Sequence, residues 1–128
     1  MDYCIDKPTL VKGALWGNGG PETNMLYECP AYNNSLKQRP QDFDKARSLL
    51  KDAGVSGLEF EFAVTTNYPW HVDAVQIMAE WFKEVGIKCN IKKYNWSDWL
   101  ANCWVVGKVP NYEVTMMNFF GLTNASVF

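Results

Sequence analysis

Leu58-Glu59-Phe60-Glu61-Phe62-Ala63-Val64-Thr65 places Leu58, Phe60, Phe62 and Val64 on one side of an extended chain and Glu59 and Glu61 on the other. That period of two predicts a half-buried strand. Asn67, Tyr68 and Pro69 follow as a loop. Val75, Met78, Ala79, Phe82 and Val85 then recur at three-and-four spacing, which predicts a helix closed by Gly86. Ile87, Cys89 and Ile91 alternate again as a second strand. Strand, helix and strand within about 35 residues make a βαβ unit, with parallel strands and a right-handed crossover.

Upstream, Asp42 stands where an N-cap belongs, with Asp44 in the first turn and Ala46, Leu49, Leu50 and Ala53 on one face before Gly54 ends a helix. Downstream, Asn95-Trp96-Ser97-Asp98 predicts a turn with Ser97 as the capping residue. Trp99, Leu100 and Cys103 then form an apolar side, and Gly107 with Pro110 stops the helix. Tyr112 to Phe119 reads as a third strand. In the first forty residues, Asp6 caps a short helix with Pro8 in its first turn, and the glycine-rich segment from Gly17 opens a long surface excursion to Pro40. The expected architecture is α/β, a small mixed sheet with helices packed on it.

The chain of 128 residues fits one domain, residues 1–128. It is 48% hydrophobic and 15% aromatic, which excludes disorder and is enough to fill a core. Twelve basic against fourteen acidic residues give a net charge of −2 with no basic run, so nucleic acid is not an expected partner. No apolar stretch approaches the roughly 20 residues that cross a bilayer. Met1-Asp2-Tyr3-Cys4 lacks the features of a secretory leader, so the expectation from this end is a cytoplasmic chain or an excised piece.

Cys4, Cys29, Cys89 and Cys103 show no C-x-x-C spacing, and His71 is the sole histidine, so no zinc site and no cofactor are expected. Buried thiols are the favoured reading of the cysteines; spacing does not decide disulfide pairing. Gly17-Asn18-Gly19-Gly20 invites a phosphate-loop reading, but no strand precedes it and no Lys-Ser or Lys-Thr follows, so a turn is favoured. His71, at a helix start beside Trp70, is expected to be a surface or capping residue rather than a general base. No carboxylate pair suits glycoside hydrolysis.

The aromatic residues point to a site. Trp16, Tyr68, Trp70, Trp96, Trp99, Phe119 and Phe120 fall at or near element ends. In parallel sheets the loops beyond the strands' carboxyl ends gather on one edge and line ligand crevices. Asn67, Tyr68 and Trp70 follow the first strand, Trp96 the second, and Phe119 to Asn124 the third. An aromatic platform flanked by Asn67, Asn118 and Asn124 suits sugars or extended peptides. That these rings only cover the sheet edge stays open on composition alone.

Five ordered segments resemble the extracytoplasmic solute-binding proteins of ABC transporters, in the dipeptide, oligopeptide and nickel group called family five. Cys4-Ile5-Asp6-Lys7 is similar to that family's Ala-Ile-Asp-Arg/Lys. Asp42-Phe43-Asp44-Lys45-Ala46, continuing through Leu49-Leu50 to Ala53-Gly54, is similar to its Asp-Pro-Glu-Lys-Ala helix. Ile77 to Lys88 resembles its crossover helix running into Gly-Ile-Lys. Trp96-Ser97-Asp98-Trp99-Leu100 resembles its Trp-x-x-(aromatic)-Leu, and Tyr112-Glu113-Val114 its Tyr-Asp-Met/Phe.

The resemblance implies the second, C-terminal lobe of a two-lobed protein of periplasmic binding protein type II-like fold, working outside the cytoplasm, in the periplasm or as a surface lipoprotein. It implies a non-enzymatic role: a small solute, peptide or oligosaccharide, is gripped between this lobe and the first lobe of the same parent chain and delivered to a membrane ABC permease. Trp96 and Phe119 carry over as solute-facing residues, and loop geometry adds Trp70, Asn67 and Asn124. Peptide binders of the family follow the last strand with Gly-Trp-x-x-Asp; Asn118-Phe119-Phe120-Gly121-Leu122-Thr123-Asn124 holds no acid, which disfavours a peptide with a free N-terminus. Two other classes stand beside this one: a cytoplasmic sensor built on the same lobe, motivated by the missing leader, and a small enzyme using Cys103 or His71.

Overall fold

Strand β1 (Glu59–Thr65) runs through the middle of a three-stranded sheet of order β2-β1-β3 in a computed structural model that describes residues 1–23, 33, 35–104 and 112–118. The expected βαβ unit is present: β1, helix α3 (Pro69–Glu84) and β2 (Lys88–Tyr94), with Glu59 opposite Lys88 and Thr65 opposite Tyr94 in parallel register. β3 (Val114–Thr115) pairs in parallel on the other side, Phe62 opposite Val114 and Ala63 opposite Thr115. Both pairings among the described residues are thus parallel, where a mixed sheet was expected. β3 is also shorter than the expected Tyr112–Phe119, because after Thr115 the chain leaves the β1 ladder and turns toward the start of α3.

The alternation in β1 has the predicted effect on one face only. Phe60, Phe62 and Val64 enter the main core with Val75, Met78, Phe82, Val85 and Ile87, and the rings of Phe60 and Phe82 meet edge to face at 5.6 Å. The other face begins wet, with Glu59 paired to Lys88 at 2.7 Å and Glu61 to Lys92 at 3.3 Å across the strands. Two residues further on it is dry. Ala63 is fully buried against Trp99 and Cys103 of helix α4 (Trp96–Cys103), so β1 ends covered on both sides rather than half-buried.

Helix α2 (Phe43–Asp52) begins as expected, with the Asp42 carboxylate accepting from the Lys45 N–H at 2.8 Å. Asp6 likewise caps α1 (Lys7–Leu15), where Pro8 occupies the first turn. α1 lies across α3, and a Cβ at Gly13 would stand 2.7 Å from Ile77 Cδ1, so the absent side chain sets how closely the two helices approach. Gly86 takes a left-handed φ of 79°, letting the chain turn from α3 directly into β2. At α4 the cap is Asn95 rather than Ser97: the Asn95 side-chain Oδ1 accepts from the Asp98 N–H at 2.9 Å, and Ser97 lies in the first turn, exposed. Leu100, expected on the apolar side of α4, is exposed; Trp99 and Cys103 alone face inward. Gly107 and Pro110 lie outside the described residues.

Candidate functional site

The three strands point the same way, so their carboxyl ends, at Thr65, Tyr94 and Thr115, bring the segments that follow to one edge of the sheet. Tyr68 comes from the β1–α3 loop and Trp96 from the start of α4. Their rings meet edge to face, 6.1 Å apart at 84°. Trp96 stacks on Trp99 at 5.4 Å and 12°, and Trp99 on Trp104 at 6.4 Å and 25°. Trp99 is 1% exposed, Trp96 37% and Trp104 53%, so a buried indole supports two that reach the surface.

Trp99 is held by hydrogen bonds as well as by packing. Its Nε1–H donates to Thr115 Oγ1 at 3.0 Å, and that hydroxyl donates in turn to the Ala63 carbonyl at 2.8 Å. The Tyr112 hydroxyl donates to the Cys103 carbonyl at 2.8 Å and ties down the end of α4. The exposed face of Trp96 therefore rides on a fixed base.

His71 is the residue whose placement departs furthest from expectation. It is not on the surface but fully buried, on the same face of α3 as Ala74, Val75, Met78 and Phe82. The helical period could have found it: 71, 74, 75, 78 and 82 are one stripe. Trp70 packs against the imidazole with centroids 4.0 Å apart, and Tyr68 with centroids 5.0 Å apart. His71 Nε2 lies 2.8 Å from Asn118 Oδ1, and its Nδ1 has no hydrogen-bond partner among the described residues. Burial pushes the imidazole below its ordinary value of 6.5, with the Asn118 contact pulling weakly the other way.

A cavity of about 30 Å³ lies among Tyr68, His71, Trp96, Met116, Met117 and Asn118, with Thr65 and Trp99 completing its lining. No carboxylate, ammonium or guanidinium lines it. A larger hollow of about 460 Å³, among Leu50, Val55, Leu58, Val85 and Ile87, sits at the opposite edge, where β1 and β2 begin. In an open parallel sheet the carboxyl edge is the ligand edge, so the smaller, aromatic site is the candidate.

Of the expected site residues, Trp96 and Trp70 are in this cluster. Asn67 is exposed beside it, its backbone N–H donating to Thr65 Oγ1 at 3.3 Å. Phe119 and Asn124 lie outside the described residues. Cys4, Cys89 and Cys103 are free thiols, each pushed above the ordinary thiol value chiefly by burial, opposite to what an activated nucleophile needs. Among the described residues no cluster of His, Cys, Asp and Glu suits a metal, and no helix is long and apolar enough to cross a membrane.

The model of the family described as bacterial extracellular solute-binding proteins, family 5 Middle, matches residues 1–123. Among curated proteins, the chain is similar to heme-binding protein A of Haemophilus influenzae, 31% identical over 106 residues that span 77% of this chain and 19% of that protein. It is also similar to the dipeptide-binding protein of Escherichia coli, 27% identical over 128 residues that span 94% and 23% of the two chains. Among solved structures, the oligopeptide-binding protein AppA of Bacillus subtilis, in complex with a nonapeptide, superposes with a TM-score of 0.72 at 17% identity, covering 95% of this chain and 27% of that one. The fold is accordingly of the type II-like periplasmic binding class, and the chain spans about a fifth of the length of the curated relatives it matches.

Proposed function

The chain belongs to the bacterial extracellular solute-binding proteins of family 5, and on that premise we propose that it forms the second of two lobes that close on a small solute outside the cytoplasm and present it to an ABC permease. The part it plays is to bind, not to transform. The carboxyl edge of the sheet is its wall of the cleft, with Trp96 as the principal solute-facing ring, supported by Trp70, Asn67, Phe119 and Asn124. The observation that carries this reading is the convergence of Tyr68, Trp96 and Asn118, from the ends of three strands, around one uncharged cavity.

The solute class is a peptide or an oligosaccharide. A relative named for dipeptide binding, and a fold neighbour named for oligopeptides and solved with a nonapeptide, favour the peptide. The uncharged lining favours an internal or blocked segment over a free terminus, since a buried ammonium without a partner is costly. One wall buries only part of a solute, so the chain by itself binds more weakly than a two-walled cleft.

The test is isothermal titration with a panel of blocked and free di- to nonapeptides and of oligosaccharides. Trp96→Ala is expected to weaken binding of whichever probe binds by about 1 to 3 kcal/mol. Unchanged affinity would remove Trp96 from the cleft wall.

A further inference from the structure

The buried imidazole of His71 is left half-satisfied, and the arrangement says which half. Asn118 Oδ1 only accepts, so the 2.8 Å contact places a proton on His71 Nε2. His71 sits in the first turn of a 16-residue helix, at the positive end of its dipole, with no acidic side chain in that turn. Full burial and the dipole both oppose a second proton. Nδ1 is then a bare lone pair, buried and without a partner among the described residues. Leaving such an acceptor unmet costs on the order of 1–3 kcal/mol, so folded chains supply a donor.

The structure has room for one. His71 lines the cavity of about 30 Å³, and about 10–15 Å³ of such space suffices for a water. The other walls are mainly indole, phenol and thioether groups. We propose that this cavity is a subsite for a single water-sized hydrogen-bond donor, an O–H or N–H that donates to His71 Nδ1, with Asn118 acting as the positioning residue that holds the imidazole in the accepting tautomer. The donor comes from an ordered water or from a solute group. A carbonyl or carboxylate oxygen is rejected, because its lone pairs would face that of Nδ1. This inference goes beyond the solute-binding reading and stands without it.

His71 is the only histidine, so long-range proton–nitrogen NMR correlations of the uniformly ¹⁵N-labelled chain report on it alone. The expected spectrum has Nε2 in the protonated range and Nδ1 in the unprotonated range, displaced upfield by accepting a hydrogen bond. Spectra are taken without additive, with trialanine and with maltotriose. An Nδ1 displacement already present and unmoved by either probe identifies the donor as water; one that appears or changes with a probe identifies it as solute. A protonated Nδ1, or an Nδ1 at the position of a free imidazole nitrogen in all three samples, would overturn the subsite. Asn118 is exposed, so Asn118→Leu should fold and convert the single tautomer into a mixture; an unchanged tautomer would overturn the role given to Asn118. Titration of the same probes by tryptophan fluorescence tests solute binding separately, and its failure leaves the water arm standing.

Discussion

The indole of Trp96 lies 12° from parallel with that of Trp99, and a hydroxyl on β3 holds Trp99 in place. A partly exposed ring thus borrows its orientation from a buried one, and the stability of the core and the geometry of the site are joined at Trp99.

Trp99→Ala should cost about 3–5 kcal/mol of folding free energy, the range for emptying a buried aromatic site. Trp99→Phe keeps most of the volume but removes the donor to Thr115, and should cost about 1 kcal/mol beyond its packing loss. Urea denaturation followed by circular dichroism measures both. A Trp99→Ala variant as stable as the parent chain would contradict the burial described.

Gly13 and Ile77 should be energetically coupled. Gly13→Ala gains about 0.8–1.0 kcal/mol of helix propensity, but its new Cβ meets Ile77 Cδ1 at 2.7 Å. In the Ile77→Val background, where that methyl is gone, the gain should appear undiminished. A double-mutant cycle that closes to zero would show that α1 and α3 do not touch there.

His71 gives the fold a pH dependence of calculable sign. Its folded value lies below the ordinary 6.5, so as pH falls below 6.5 the unfolded chain takes up a proton that the folded chain refuses. Stability should therefore decline from pH 6.5 downward until the folded value is reached, and be flat with respect to this group above it. Glu59, lowered by its hydrogen bond to Lys88, acts in a separate window below 4.5. Urea midpoints of the chain and of His71→Gln at pH 7.5 and 5.5 isolate the histidine: the difference between the two pH values should shrink in the variant.

The thiols should be sluggish. Cys4 and Cys103 are buried and Cys89 half-buried, all raised by burial, so iodoacetamide at neutral pH should label Cys89 ahead of the other two and all three much faster in urea. Peptide mass mapping reads the order; rapid labelling of Cys103 in the folded chain would revive a reactive role for it.

Much of this was legible beforehand, and the exceptions share a cause. The βαβ unit and the Asp6 and Asp42 caps follow from periods and capping chemistry within single segments, and the meeting of Tyr68 with Trp96 follows from the parallel strands, while the third expected loop, 119–124, lies outside the described residues. Burial of Ala63 did not follow in this way, because what covers it is α4, more than thirty residues away in sequence. The early end of β3 and the meeting of Asn118 with His71 depend likewise on long-range geometry. His71 departs for a different reason: a helix start suggests a surface or capping residue, but the stripe 71, 74, 75, 78 and 82 carries it into the core. Asn95 rather than Ser97 caps α4 because the helix begins at Trp96, which leaves Ser97 inside its first turn.

The brevity of β3 also has an evolutionary side. Because the chain quits the ladder after Thr115, only two residues separate that anchor from the amide that meets the imidazole. One inserted residue would change the spacing between that anchor and Asn118, and with it the 2.8 Å contact to the imidazole. Length variation should therefore be purged from 115–118 and tolerated at Gly54–Gly57, the open turn at the far edge, so that drift in loop size is confined to the edge away from His71.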